Sequence, residues 1–279
     1  MRQIEVAQVT QAVKAAAIAA NYEPGADLLA ALTRGFETEE SPSGKEIFRQ
    51  LLENARIAKE ERIPMCQDCG LAVVFAEVGQ DVHLVGGDFD QAINAGIRQG
   101  YGEGHLRKSL CHPLTRANTG DNTPAVIHTE IVPGDRLKLT VVPKGGGSEN
   151  MSRLFMLKPA DGLAGIREKV VLTVDEAGPN PCPPIIVGVG IGGNFERAAL
   201  LAKKSLLREL GQANPDPEVA AIERQLLAEV NDLGIGPQGL GGRVTAMAVH
   251  VLMQPCHIAS LPVAVNIQCH ASRHQEVIL

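Results

Sequence analysis

Tryptophan is absent from this chain, and aromatic residues make up only 3% of it, so the core has to rest on Ala, Val, Ile and Leu. A basic surplus is also lacking: 26 Lys and Arg stand against 32 Asp and Glu, for a net charge of −6. No block of five or more basic residues occurs, which argues against a broad electrostatic surface for DNA or RNA, and no nucleic-acid partner is expected. No stretch approaches the ~18 uninterrupted apolar residues of a spanning helix, and residues 1–6 lack the basic-then-apolar profile of a secretory leader. A cytoplasmic protein, or one of another reducing compartment, with no membrane partner is therefore expected. Cysteine is scarce too. Six in 279 residues are too few for a disulfide scaffold, and in a reducing compartment they read as metal ligands, reactive thiols or core filler.

What is present is organised around Met65-Cys66-Gln67-Asp68-Cys69-Gly70. No helix favours this string, so its residues were not chosen for packing. Before it, residues 1–62 read as a helical layer: Ile4 to Ala20, Ala26 to Phe36, and Gly44 to Arg62 with Ile47, Leu51, Leu52, Ala55 and Ala58 on one face. After it, residues 63–279 read as mixed. Strands are expected at Leu71–Val78, His83–Val85, Ile185–Val189, Val244–Met253 and Leu261–Ile267. A hairpin is expected from Pro124–Val132 and Arg136–Val142 about Pro133-Gly134-Asp135. Helices are expected at Phe89–Tyr101, Gly162–Val174, Asn194–Leu210 and Glu218–Leu233. This order gives an α+β fold, an N-terminal helical layer followed by an irregular mixed sheet with packed helices, in one domain over 1–279.

Three chemical signals compete. Gly188-Val189-Gly190-Ile191-Gly192-Gly193 matches a dinucleotide-binding fingerprint, with Glu209 about twenty residues on. But Glu209 falls within an expected helix, and the βαβ unit that should frame the motif is missing, which favours close helix–strand packing or an anion-binding turn. Cys66-x-x-Cys69 offers half a zinc site or a redox pair, but a strand follows it, and no second pair completes a zinc ribbon. The third signal is the setting of two distant cysteines, Cys182 in Asn180-Pro181-Cys182-Pro183-Pro184 and Cys269 in Asn266-Ile267-Gln268-Cys269-His270. The flanking prolines hold Cys182 on an extended, donor-poor backbone. Cys66, Cys182 and Cys269 read as ligands of one metal centre, and Cys111 and Cys256 as core filler.

At Cys66-Gln67-Asp68, Asn180 to Pro184 and the closing Cys269, the chain resembles the iron–sulfur hydro-lyases, that is, class I fumarases and L-tartrate dehydratases. Asn118-Thr119-Gly120 to Asn122, Lys144 to Gly147, Leu233 to Gly239 and His257-Ile258-Ala259-Ser260 add to it. The likeness runs from about residue 44 onward and covers only the alpha part, so a beta subunit is an expected partner, with two alpha and two beta chains. The resemblance implies a [4Fe–4S] cluster on Cys66, Cys182 and Cys269, with one iron open as a Lewis acid. It implies that Gln67, Arg107 and Gly147 contact a small dicarboxylate, and that Asp68 and His257 have acid–base or polarising roles. Cys69 stands where the family usually has Thr. The string His257 to Val263 is more like the two-subunit fumarases than the tartrate enzymes.

Overall fold

The computed structural model describes residues 2–279 and has the mixed α+β character expected, but its sheets are joined differently. The chain divides into two compact units, neither of them a single stretch of sequence. The first comprises Met1–Gly25, Ala55–Gly146 and Arg273–Leu279, and the second Ala26–Asn54 and Gly147–Ser272.

The first unit opens with a short strand, β1 (Arg2–Glu5), where a helix was expected from Ile4. Helix α1 (Val6–Tyr22) then buries Val6, Val9, Val13, Ala16, Ala17 and Ala20, one face of a 3.6-residue repeat. Against it lies α4 (Phe89–Glu103). A Cβ at Gly96 would stand 2.7 Å from the Thr10 carbonyl, so glycine is what lets the two helices approach. Both pack on a sheet of β2 (Leu71–Gly79), β4 (Val126–Val132), β5 (Leu137–Lys144) and β10 (Gln275–Ile278), in the order β10-β5-β2-β4.

The expected hairpin does not form. β2 lies between β4 and β5, parallel to one and antiparallel to the other. The Pro133–Arg136 connection instead crosses over the end of β2. There the Gly79 N–H donates to the Arg136 carbonyl at 2.9 Å, and a Cβ at Gly79 would meet the Gly134 carbonyl at 2.4 Å. A short connection between two strands suggests a hairpin unless a third strand can slip between them, and glycine at the crossing makes that possible. β3 (Val82–Val85) pairs in parallel with β1.

The second unit contains α2 (Ala26–Thr38) and the first turns of α3 (Pro42–Glu61), whose C-terminal turns belong to the first unit. Its sheet has the order β6-β9-β7-β8, from β6 (Arg153–Leu157), β7 (Ile185–Gly192), β8 (Ala246–Gln254) and β9 (Leu261–Gln268). α7 (Phe195–Ser205) and α8 (Pro217–Asn231) lie in the crossover from β7 to β8, which are parallel, so a strand–helix–strand frame that the sequence did not reveal is present. α7 stops five residues short of Leu210. Helix α6 (Gly162–Ala177) completes the apolar core on Ile166, Val170 and Val174. Side chains seal the open edge of β8. Asn231 accepts from the amides of Thr245 and Ala246, while Glu223 and Asn214 serve the Val251 amide and carbonyl.

The glycine run is explained by packing. A Cβ at Gly188 would lie 2.2 Å from the Ala202 carbonyl, and one at Gly190 would lie 2.1 Å from that of Ala198. These glycines seat α7 on β7, the packing alternative weighed for the dinucleotide fingerprint.

Candidate metal and dicarboxylate site

In the first unit, Met65 to Gly70 is a loop whose polar groups are met from several elements. The Met65 amide donates to the Asn21 carbonyl at 3.0 Å. Cys66 is half-buried, and its sulfur accepts the Asp68 N–H at 3.4 Å. Both carboxylate oxygens of Asp68 are engaged: Oδ1 with the Gly70 amide at 3.0 Å and Oδ2 with the Gly146 amide at 2.7 Å. Gly70 needs its positive φ of 77°, and a Cβ there would meet the Lys144 amide at 2.6 Å. Gln67 is exposed, as is Arg107.

Cys69 is buried, 1% exposed. Its sulfur accepts the Arg107 amide at 3.2 Å, and its thiol reaches the Cys66 carbonyl at 3.7 Å. Burial pushes its pKa up, against the opposing pull of the Arg107 amide and the Arg273 charge, so the thiol stays neutral. The residue that departs from the family pattern therefore ties the Cys66 loop to the Arg107 segment.

Two hubs behind the loop carry polar groups into the core. Asn122, fully buried with φ of 61°, accepts the amides of Ser109 and Leu110 at 2.8 and 3.1 Å and donates to the Gly70 carbonyl at 3.1 Å. This gives the Asn118 to Asn122 string a role. Tyr101, at 0% exposure, donates from its hydroxyl to the Cys69 carbonyl at 2.6 Å, and burial holds that hydroxyl far above its usual range. A third group escaped the sequence reading. Arg273, 5% exposed, donates from Nη2 to the Asp68 carbonyl. In sequence it is only a charge four residues past Cys269, with no periodicity or motif to mark it.

In the second unit, Cys182 is exposed between the buried Pro181 and Pro183. It has the left-handed φ of 55°, and its amide closes a turn onto the Pro179 carbonyl at 3.1 Å. The Leu233 to Gly239 string braces this turn. The Gln238 amide and side chain both donate to the Pro183 carbonyl, at 2.7 and 2.8 Å, and a Cβ at Gly239 would collide with Pro179 at 2.3 Å. Cys269, half-buried, follows the end of β9, and the neighbouring His270 ring binds the Cys182 carbonyl through Nδ1 at 3.0 Å. The same Nδ1 lies 3.3 Å from the Gln238 side-chain nitrogen. The His270 side chain thus ties the backbone of the Cys182 turn to the residue after Cys269.

His257 lies in the exposed loop between β8 and β9. Its Nδ1 accepts the Ala259 N–H at 3.1 Å, which leaves the neutral ring with its proton on Nε2. Gly147 is exposed in the four-residue helix α5 (Gly146–Glu149), and a Cβ there would come no nearer than 3.7 Å to its surroundings. Cys256 is exposed, with its thiol against the Ser260 carbonyl at 3.1 Å, so it is not core filler. The loop after β8 carries it to the surface. Cys111 is half-buried in a bridge to Asn118.

The first unit thus holds Cys66, Gln67, Asp68 and Arg107, and the second holds Gly147, Cys182, His257 and Cys269. Among the described residues, no three His, Cys, Asp or Glu side chains are gathered as a metal cage, and no helix is long and apolar enough to cross a membrane. The donors nevertheless suit a thiolate-held iron–sulfur group. None of the six cysteines is in a disulfide, and Cys66, Cys182 and Cys269 all lie on irregular, braced backbone with their sulfurs outside the apolar cores.

Known proteins resemble this chain along most of its length. A family model described as fumarate hydratase (Fumerase) matches residues 10–278. A Methanocaldococcus jannaschii protein provisionally named L(+)-tartrate dehydratase subunit alpha is 42% identical over 261 residues, 91% of each chain. The L(+)-tartrate dehydratase subunit alpha of Escherichia coli strain K12 is 32% identical over 247 residues, covering 87% of this chain and 81% of that one.

Proposed function

The chain belongs to the fumarate hydratase (Fumerase) family, and from that premise we propose that it is the alpha subunit of an iron–sulfur hydro-lyase that interconverts fumarate and (S)-malate. The family match over residues 10–278 carries this reading. In the proposal, Cys66, Cys182 and Cys269 hold a [4Fe–4S] cluster. When bound, such a cluster supplies an open iron as Lewis acid to the hydroxyl that leaves or adds.

The chain's own residues take the remaining tasks. The planar fork of the exposed Arg107 suits a carboxylate. The Gln67 amide points outward from the same braced loop, and the open approach to Gly147 leaves its backbone accessible. His257 presents Nε2–H as a donor toward developing negative charge. Asp68, with both oxygens on backbone amides, holds a fixed negative charge beside Cys66, where it can polarise or exchange a proton. The relatives are named as alpha subunits, which supports a beta subunit as partner, in a proposed assembly of two alpha and two beta chains. That partner would provide the remaining carboxylate-binding groups and the base. A cytoplasmic setting is part of the same proposal.

A second reading takes L-tartrate as the substrate. The names of the relatives favour it, whereas the string from His257 to Val263 favours fumarate. Anaerobic reconstitution with iron, sulfide and the partner subunit, followed by kcat/KM for each acid, decides between them. A higher value for fumarate is expected. A preference for tartrate reassigns the substrate, and turnover of neither overturns the hydro-lyase reading.

A further inference from the structure

Arg273 is a buried cation with too few partners. Its Nη2 donates to the Asp68 carbonyl, while Nε and Nη1 are buried with no hydrogen-bond partner. A guanidinium does not shed its charge by losing a proton, and a buried charge that is incompletely hydrogen-bonded is costly. Its surroundings offer little relief. The Tyr101 hydroxyl is spent on the Cys69 carbonyl, and the Cys69 sulfur accepts the Arg107 amide. The Asp68 carboxylate lies in the same neighbourhood, but its oxygens accept from the Gly70 and Gly146 amides, and the guanidinium reaches only the Asp68 backbone carbonyl. The rest of the loop is well served by Asn122, Tyr101 and the Arg107 amide. A guanidinium with two of its three nitrogens unmet therefore stands against the Cys66–Gly70 loop, the segment to which further negative charge would come.

We propose that Arg273 is the resident counter-charge of the Cys66–Gly70 loop, a positioning residue that fixes the Asp68 carbonyl and balances the anionic load of the site, thiolate-held cluster and dicarboxylate together. This inference rests on the hydro-lyase reading above. It makes the bare chain less stable than it could be and the loaded chain more stable, because a buried guanidinium with unmet donors is costly until an anionic partner arrives.

The test compares R273K, which keeps the charge but not the fork, with R273Q and R273M, which lose the charge. Three quantities are measured: the melting temperature of the metal-free chain, iron and acid-labile sulfide per chain after anaerobic reconstitution, and the melting shift produced by fumarate or L-tartrate. R273Q and R273M are expected to melt no lower than the unsubstituted metal-free chain, yet to retain cluster roughly tenfold less well, as outer groups of metal sites do when removed. R273K should retain it nearly normally. Full cluster content in R273Q overturns the proposal, and so does equal loss in R273K and R273M. Metal-free R273Q or R273M that melts lower or fails to fold also overturns it, since Arg273 is then a structural residue. If the unsubstituted chain itself takes up neither iron nor sulfide, the hydro-lyase reading fails first. The dicarboxylates must then raise the melting temperature of the unsubstituted and R273K chains but not of R273Q; absence of that difference removes the counter-charge as well.

Discussion

The two cysteine-bearing turns, Met65 to Gly70 in the first unit and Pro179 to Pro184 in the second, are held by different physics. The first is shaped by side chains reaching in from afar: Asn122, Tyr101, Arg273 and the Cys69 sulfur all bond its backbone or its neighbours. The second is shaped mainly by its own backbone, with prolines around a left-handed Cys182 and a glycine-rich loop packed against it. The network holds only while each buried polar group keeps its partner. The proline turn loses little entropy on folding but tolerates no added volume where Gly239 meets Pro179. A thiol site can thus be made rigid in either way, and each has its own point of failure.

The largest expected effect is common to both turns. Serine at Cys66, Cys182 or Cys269 should abolish cluster retention and lower activity by more than the ~10–100-fold typical of residues outside the ligand sphere. Cys256→Ala, on an exposed thiol, should retain both. Iron and sulfide analysis with a coupled activity assay checks this, and loss at Cys256 equal to that at the other three would dissolve the distinction between the turns and an ordinary surface cysteine.

The next effects separate the turns. Asn122→Ala removes three hydrogen bonds from a buried residue with positive φ and should cost about 4 kcal/mol. Gly239→Ala forces a Cβ at φ of 75° into Pro179 and should cost about 3 kcal/mol. Urea unfolding measures both. Tyr101→Phe should damage the first turn alone, and a mixed-disulfide reagent should then label Cys69 faster while its rate at Cys182 is unchanged.

His250, in β8, gives a pH effect that involves neither turn's hydrogen bonds. Burial, with the Arg208 charge nearby, holds this histidine down to about 4. The folded chain keeps it neutral while the unfolded chain binds a proton from about pH 6.5 downward. Its contribution is therefore intact above that pH and is lost as pH falls toward 4, by about 3 kcal/mol at the lower end. His250→Gln should flatten the acid limb of a stability–pH curve. An unchanged limb would show that the acid response arises elsewhere.

The smallest effect is expected at Cys69. Replacement by Ala removes one acceptor for the Arg107 amide and should cost about 1 kcal/mol, with cluster content unchanged. Loss of iron in that variant would make Cys69 a participant rather than a brace.

Periodicity made α1, α4, α6 and α8 legible in the sequence, together with most strands, because each buries one clear face or a continuous apolar run. Pairing was less legible. The short link between β4 and β5 suggested a hairpin, and only the close approach of Gly79 to Gly134 reveals the intervening strand. The candidate site residues stand out in the sequence where they sit in unusual local strings, as Cys182 does between prolines. Contacts between residues far apart in the chain leave no such mark. Arg273 has no local signature, and its meaning comes from the Asp68 carbonyl some two hundred residues earlier. Cys256 was misjudged for the converse reason, since a lone cysteine after an apolar strand gives no sign that the chain has already reached the surface.

Acid-labile sulfide in the anaerobically reconstituted chain tests the central claim most directly. About four sulfides per chain are expected, released together with iron and lost when Cys66, Cys182 or Cys269 is replaced by serine. A chain that folds, binds one zinc and yields no sulfide would contradict it.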